Sequence, residues 1–132
     1  MRDQDRAKLA HRDVLAVKEK GQESYSKKYA TYVHKMPALI SSAGLCQAVW
    51  FIHSRNTGKD AADTFLVNLA QQLAYVEPKL KGASAEGLCK VVEEATLSTY
   101  LRLTQEAFLC SAWYRRMVQG VLKIDASEGD DD

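Results

Sequence analysis

The arginines of the last third of the chain are the residues best suited to chemistry, and that chemistry is phosphate binding. Arg102, Arg115 and Arg116 lie on a stretch with helical spacing, and Trp113 lies beside them. A guanidinium donates a fork of hydrogen bonds to a phosphate, and an aromatic ring stacks on a base. Arg115 falls within the apolar stripe of this stretch. It must therefore extend to solvent, pair with a buried acid or reach a ligand phosphate, unless the helix has left the core there.

A second group of cations lies between Ser24 and Lys59, a segment that contains no acidic residue. The basic residues in it are Lys27, Lys28, Lys35, Arg55 and Lys59. A segment with charges of one sign raises the positive potential over its surface and favours a polyanionic partner. The alternative is a solvated basic surface without a ligand.

The formal net charge of +1 hides an uneven distribution of charge. Five of the 17 acidic residues lie within the last eight positions, so the rest of the chain carries 18 basic and 12 acidic residues, a net charge of +6. We expect positions 125–132 to form a disordered acidic tail, because they offer few side chains that could pack.

The sequence offers no constellation typical of an active site. None of the three histidines lies four residues from another or at zinc-ligand spacing from a cysteine. His53 and Ser54 are adjacent but lack an evident orienting carboxylate, and Gly58-Lys59 lacks the earlier glycine of a phosphate loop. We therefore predict a protein that is not an enzyme and has no metal, cofactor or small-molecule substrate.

Three cysteines without Cys-x-x-Cys spacing favour reduced thiols, and no apolar run reaches the length of a membrane span. We expect a cytoplasmic protein without a membrane partner. The abundance of Ala, Leu, Gln, Glu and Lys favours helices over strands.

The periodicity predicts an all-α, single-domain bundle of five or six helices over residues 1–124, with a long C-terminal helix. The second helix would begin near Ser24 as its N-cap and would kink or restart at Pro37. The predicted helices cover about 2–20, 24–43, 45–53, a segment from about 59, a segment opened by Ser84, and 96–123.

The last helix is apolar on two sides. One stripe consists of Leu97, Tyr100, Thr104, Ala107, Phe108, Ser111, Tyr114, Val118 and Leu122. Leu109 and Trp113 point roughly the opposite way. Such a helix is either central in a bundle or packed on another molecule, so Leu109 and Trp113 are candidates for a subunit interface.

Two ordered motifs resemble a known family. Residues 36–48 read Met-Pro-Ala-Leu-Ile-Ser-Ser-Ala-Gly-Leu-Cys-Gln-Ala and are followed by Phe-Ile-His-Ser-Arg at 51–55. Further on come Tyr-Leu-Arg-Leu-Thr at 100–104 and Ala-Trp-Tyr-Arg-Arg at 112–116. This order is similar to that of the small all-helical subunits of the Cmr (type III-B) CRISPR RNA-guided effector complexes. The resemblance covers roughly residues 25–122.

The resemblance implies a scaffold role. Members of this family stack head-to-tail with copies of themselves as a minor filament beside other Cmr subunits, and their basic face lines the channel in which target RNA pairs with guide RNA. RNA cleavage belongs to the other subunits. The candidate contacts to the RNA backbone are Arg55, Lys59, Arg102, Arg115 and Arg116, followed by Lys27, Lys28 and Lys35.

Two other classes of protein stay open from the residues alone. A helical DNA-binding regulator would need a recognition helix after the turn at Asn56-Thr57-Gly58, but Asp60 and Asp63 suit the major groove poorly. A helical protein–protein interaction module without any nucleic acid is the second alternative.

Overall fold

The computed structural model describes residues 2–56 and 60–126, and this part of the chain is all-α, as predicted. Its six α-helices are α1 Asp3–Glu19, α2 Glu23–Ala43, α3 Leu45–His53, α4 Ala61–Leu73, α5 Ala85–Glu94 and α6 Leu97–Met117. A short 3-10 turn at Pro78–Leu80 lies between α4 and α5, and a π-helical turn at Val118–Leu122 follows α6. No described helix is long and apolar enough to cross a membrane.

The core lies where α6 packs against α1, α2 and α4. Phe65 of α4 makes edge-to-face contacts with Tyr29 of α2 and Tyr114 of α6, with ring centroids 5.8 and 5.9 Å apart. All three rings are fully buried. The Tyr114 hydroxyl donates a 2.7 Å hydrogen bond to the buried carboxylate of Asp13 on α1. Burial raises the pKa of Asp13, and this hydrogen bond opposes the rise.

Helix α2 differs from its prediction at two points. It continues through Pro37 without the restart that was one of the two outcomes expected there. It begins one residue before Ser24, with Gln22 as an N-cap whose side chain accepts no hydrogen bond. A proline removes only one backbone hydrogen bond, and α2 is buried against α3, α4 and α6 on either side of it. Packing of the whole helix therefore outweighs the local breaker and the local cap.

The junction between α2 and α3 depends on a glycine. Gly44 has φ of +89° and ψ of 161°, a conformation that L side chains rarely adopt. The Tyr100 hydroxyl of α6 accepts the N–H of Cys46 at 3.0 Å, so α6 satisfies one of the free amides that begin α3. The close turn and the cap together hold α3 against the bundle.

The buried face of α6 is rotated from the predicted stripe. Leu97 and Phe108 were expected in the core, but 74% and 37% of their side-chain surfaces are exposed. Ala107, Ser111 and Tyr114 of the predicted stripe are buried, together with Leu103, Glu106 and Cys110 from outside it. The prediction was partly wrong because the apolar pattern on two sides did not reveal that Glu106 would be buried with a partner, Arg6.

The C-terminal segment folds back onto α2. Lys123 adopts a left-handed conformation with φ of +61°, and the following Ile124 is only 9% exposed. Asp125 and Ala126 are exposed. The rest of the predicted acidic tail, 127–132, lies outside the described residues, so the division into a helical domain and a disordered tail stays a prediction.

The three cysteines are unpaired thiols. Cys89 and Cys110 are buried and Cys46 is half-buried. Burial raises the pKa of Cys89 to about 12, which keeps this thiol protonated and unreactive at neutral pH.

Candidate nucleic-acid interface

A groove between the end of α1, the start of α2 and the C-terminal turn brings three lysines together. We call it the basic groove, and it is lined by Lys18, Gly21, Gln22, Glu23, Ser26, Lys27, and Val121 through Ile124, which includes Lys123. Lys27 forms a 3.2 Å ion pair with Glu23, whose side chain is 83% exposed. An exposed ion pair of this kind contributes little, so Lys27 can exchange this partner for another anion.

His34 of α2 connects the basic groove to the last turns of α6. Its Nε2 lies 3.3 Å from the carbonyl oxygen of Ile124, so in the neutral ring Nε2–H donates to that oxygen. Burial lowers the pKa of His34, and the positive charge of Arg115 lowers it further. The Nδ1 atom is buried and has no hydrogen-bond partner among residues 2–56 and 60–126. A neutral histidine therefore holds the C-terminal turn beside α2, with Arg115 nearby.

The predicted RNA-binding residues do not gather in one compact site. Arg115 lies near His34, and Lys27 lines the basic groove. Arg102 precedes Arg115 by 13 residues on the same helix, which corresponds to about 20 Å along its axis. Arg55 lies just beyond the end of α3, with its guanidinium 5.1 Å from the centre of the Phe51 ring.

The remaining predicted contacts are three lysines. Lys28 and Lys35 are half-buried on α2 and each interacts with a neighbouring group. Lys59 lies outside the described residues. The role of all eight predicted residues in RNA binding stays a prediction.

Four of the arginines have no carboxylate partner in the part of the chain that the structure describes. Arg55, Arg102, Arg115 and Arg116 are exposed. Among the arginines, which all lie in the described ranges, Arg2, Arg6 and Arg12 form ion pairs with described carboxylates, and these four do not. The exposed position of Arg115 settles the question raised by its place in the apolar stripe, because this side chain reaches solvent and needs no buried acid. These four guanidinia can therefore donate to an external anion without first breaking an ion pair.

The outward side of α6 carries exposed apolar residues. We call it the apolar face of α6, and it consists of Leu97, Leu101, Phe108 and Leu109. Their exposed fractions range from 37% to 74%. In the described part of the chain, the other exposed large apolar residues are Leu15 and Tyr75. Arg102 and Arg116 are each seven residues from Leu109, so cations border this face along the same side of the helix.

Trp113 is placed differently from Leu109. Its indole Nε1–H donates a 2.9 Å hydrogen bond to Asp3 of α1, and its ring is half-buried against the core. Leu109 is 40% exposed. Leu109 thus belongs to the outward face, whereas Trp113 lies at its border with α1. Their assignment to a subunit interface stays a prediction.

Two lysines that line the basic groove were not among the residues predicted from the sequence to contact RNA. Lys18 lies near the end of α1 and Lys123 follows the π-helical turn, so they are 105 positions apart in sequence. No sequence pattern joins them. The only available signal was the concentration of basic residues near the ends of two helices.

The described residues contain no group of three or more His, Cys, Asp or Glu that could hold a metal ion. The Asp60–Asp63 pair is accounted for by helix capping, since the Asp60 carboxylate accepts the N–H of Asp63 at 3.1 Å.

Fold and surface together define a small all-α protein with exposed, unpaired cations and an outward apolar helix face. The model of the CRISPR-associated Cmr5 protein family matches residues 2–121, and the chain belongs to this family.

Two relatives from Thermus thermophilus are similar to this chain. The CRISPR system Cmr subunit Cmr5 is 35% identical over 95 residues, which are 72% of this chain and 75% of that protein. The crystal structure of a CRISPR-associated Cmr5 family protein superposes with a TM-score of 0.71 at 30% identity, covering 90% of this chain and 98% of that one. The resemblance seen in the motifs is therefore confirmed.

Proposed function

We propose that this chain is a non-catalytic subunit of a type III-B CRISPR (Cmr) effector complex. In this proposal it assembles with copies of itself and with other Cmr subunits into the minor filament, and its cations contact the backbones of guide and target RNA. Membership of the Cmr5 family supports the complex. The single observation that supports RNA contact most strongly is the set of exposed arginines without carboxylate partners, Arg55, Arg102, Arg115 and Arg116.

The proposed contacts are to phosphates rather than to bases. A guanidinium that binds a phosphate positions the RNA strand but reads no sequence. Specificity is then left to base pairing between guide and target, as in other RNA-guided complexes. Cations spread over α3, α6 and the C-terminal turn suit this role, because an RNA duplex presents its phosphates over a long surface.

The apolar face of α6 supports the assembly part of the proposal. Contiguous exposed apolar residues on a small protein mark surfaces that contact other proteins. Leu101 and Leu109 are 59% and 40% exposed and lie about two turns apart on α6. Their burial against a neighbouring subunit would remove this surface from water.

The proposal assigns RNA cleavage to other subunits and places the protein in the cytoplasm with the RNA that it binds.

A helical protein–protein interaction module without RNA contact is the second candidate, and the apolar face of α6 is the observation that favours it.

The proposal is tested by expressing the affinity-tagged chain together with the other Cmr subunits and a guide RNA, followed by purification through the tag. We expect a particle that contains several subunits, more than one copy of this chain, and guide RNA. Recovery of the tagged chain alone would contradict the proposal. Recovery of a protein assembly whose RNA affinity is the same with and without this chain would instead support the interaction module.

A further inference from the structure

The basic groove has the charge and the position to receive an anion from the chain itself. Lys18, Lys27 and Lys123 line it, and Glu23 is the one acid among its lining residues. Glu23 is largely exposed and already paired with Lys27. The described part of the groove therefore has an excess of two positive charges.

The start of α2 contributes a positive potential to this groove, whereas the last carbonyls of α1 oppose it, so that the lysines carry most of the charge. Gln22, the N-cap residue, accepts no backbone N–H with its side chain, so the first amides of α2 lack a side-chain cap. Free amides at a helix start carry a partial positive charge and favour a nearby anion. Gln22, Glu23 and Ser26 all line the groove, so these amides lie next to it.

The acidic segment 125–132 begins where the groove ends. Ile124 lines the groove, and its carbonyl is held by His34 at 3.3 Å. Positions 125–132 read Asp-Ala-Ser-Glu-Gly-Asp-Asp-Asp, with five carboxylates and no basic residue. Six residues beyond Ala126 span up to about 20 Å when extended, which is enough to cross a groove between two helices. The match to the family model ends at residue 121, before this acidic segment.

We propose that the acidic segment 125–132 binds in the basic groove as an intramolecular mimic of a nucleic-acid backbone. Its carboxylates form ion pairs with Lys18 and Lys27. These lysines are then not available to a polyanion that binds weakly or non-specifically. A long RNA held by the rest of the complex displaces the segment. The contact between segment and groove is independent of the proposed function, whereas the competition with RNA rests on it.

The contact is tested by carbodiimide coupling of the full chain, which joins neighbouring carboxylates and amines, with the joined residues located by mass spectrometry. We expect links from positions 128–132 to Lys18 and Lys27 at low ionic strength, and their loss in 1 M salt, where the Debye length is only about 3 Å. Lys90 on α5 is exposed and serves as the internal reference. Links to Lys90 as frequent as links to Lys18 and Lys27 would overturn the proposal.

The competition is tested with a chain that ends at Ala126 and with a full-length chain that carries D130N, D131N and D132N. Affinity for a single-stranded RNA homopolymer is measured over a range of salt concentrations. We expect both variants to bind the RNA several-fold tighter than the parent chain. The slope of the logarithm of the binding constant against the logarithm of the salt concentration should be steeper by roughly 0.7 for each lysine that the acidic segment no longer contacts. Equal affinities and slopes in all three chains would overturn the competition.

The two tests separate the possible failures. If none of the three chains binds RNA but the specific links form, the proposed RNA contact of the isolated chain fails and the contact between segment and groove stands. If RNA binds equally well to all three and no specific link forms, the acidic segment has no role in this groove and the proposed function stands.

Discussion

Arg6 of α1 and Glu106 of α6 form a two-pronged ion pair, with Nε to Oε2 at 2.6 Å and Nη2 to Oε1 at 2.9 Å. Their side chains are only 12% and 8% exposed. The pair turns Glu106 toward α1, so the opposite side of α6, which carries Leu97, Leu101 and Phe108, must face outward. One buried ion pair thus determines which side of α6 is available for other molecules.

Replacing Glu106 with Gln is expected to lower the free energy of unfolding by about 2–3 kcal/mol, because the largely buried Arg6 guanidinium would keep only one counter-charge, the exposed Asp3 at 3.3 Å. Urea unfolding followed by circular dichroism measures the change. Arg2→Gln is the matched control, since Arg2 is 73% exposed in its pair with Asp5. Its effect should stay within about 0.5 kcal/mol. Equal losses in the two variants would show that the Arg6–Glu106 pair contributes no more than a surface pair.

Replacing Gly44 with Ala is expected to cost about 1–3 kcal/mol, because Gly44 has φ of +89° and ψ of 161°. The added Cβ would also lie 3.1 Å from the Tyr100 hydroxyl. Thermal unfolding measures the loss. Gly120→Ala is the control, since a Cβ there meets nothing within 4 Å. A Gly44→Ala variant as stable as Gly120→Ala would contradict the assigned role of Gly44.

Replacing Leu101 with Asp is expected to prevent assembly while leaving the fold stable. Leu101 is 59% exposed, so the substitution should change the free energy of unfolding by less than about 0.5 kcal/mol. Incorporation into the co-purified Cmr particle is the measurement. Leu15→Asp on α1 provides the control, because Leu15 is 40% exposed outside the apolar face of α6. Normal incorporation of the Leu101→Asp chain would remove this residue from the interface.

Acidification is expected to loosen the C-terminal turn through His34. Burial lowers the pKa of His34 below its usual 6.5, with Arg115 acting in the same direction and Asp125 and the Ile124 carbonyl acting against it. The unfolded chain therefore takes up this proton at a higher pH than the folded chain. The stability that neutral His34 contributes is complete above about pH 6.5 and is lost as the pH falls through the lower, folded value.

Unfolding free energies of the parent chain and of His34→Gln, compared between pH 7.5 and pH 5, test this expectation. Glutamine can donate to the Ile124 carbonyl but does not titrate, so the variant should lose less stability than the parent on acidification. Identical pH profiles would show that His34 does not titrate with unfolding.

The sequence-based prediction of the fold succeeded where helical periodicity was long and its breakers were clear. The all-α class, the short buried α3 and the opening of α5 at Ser84 were predicted correctly. The N-cap of α2 is Gln22 rather than the expected Ser24, and the helix does not restart at Pro37, because packing along all of α2 outweighed a local cap and a local breaker. The rotation of α6 depended on Arg6 and Glu106, which are 100 positions apart, and no local pattern links them.

The sequence predicted which basic residues could contact RNA, but not how these residues are arranged on the surface. Composition identified the basic residues, and the motifs identified the family. Sequence could not place Lys18 beside Lys123, because the basic groove exists only once the C-terminal turn folds back onto α2 through His34. The sequence also could not show that Arg55 and Arg115 lie on different parts of the surface, since their positions depend on how α3 and α6 pack.

The most direct test of RNA-backbone contact is the salt dependence of target-RNA affinity for guide-loaded particles that contain Arg115→Gln and Arg116→Gln in this chain. Particles with Lys79→Gln and Lys90→Gln, which remove two exposed cations elsewhere, are the control. We predict weaker binding and a salt slope reduced by roughly 0.7–0.9 for each phosphate that the variant no longer neutralises, with unchanged helical content. An affinity and a slope equal to those of the control particles would contradict the account.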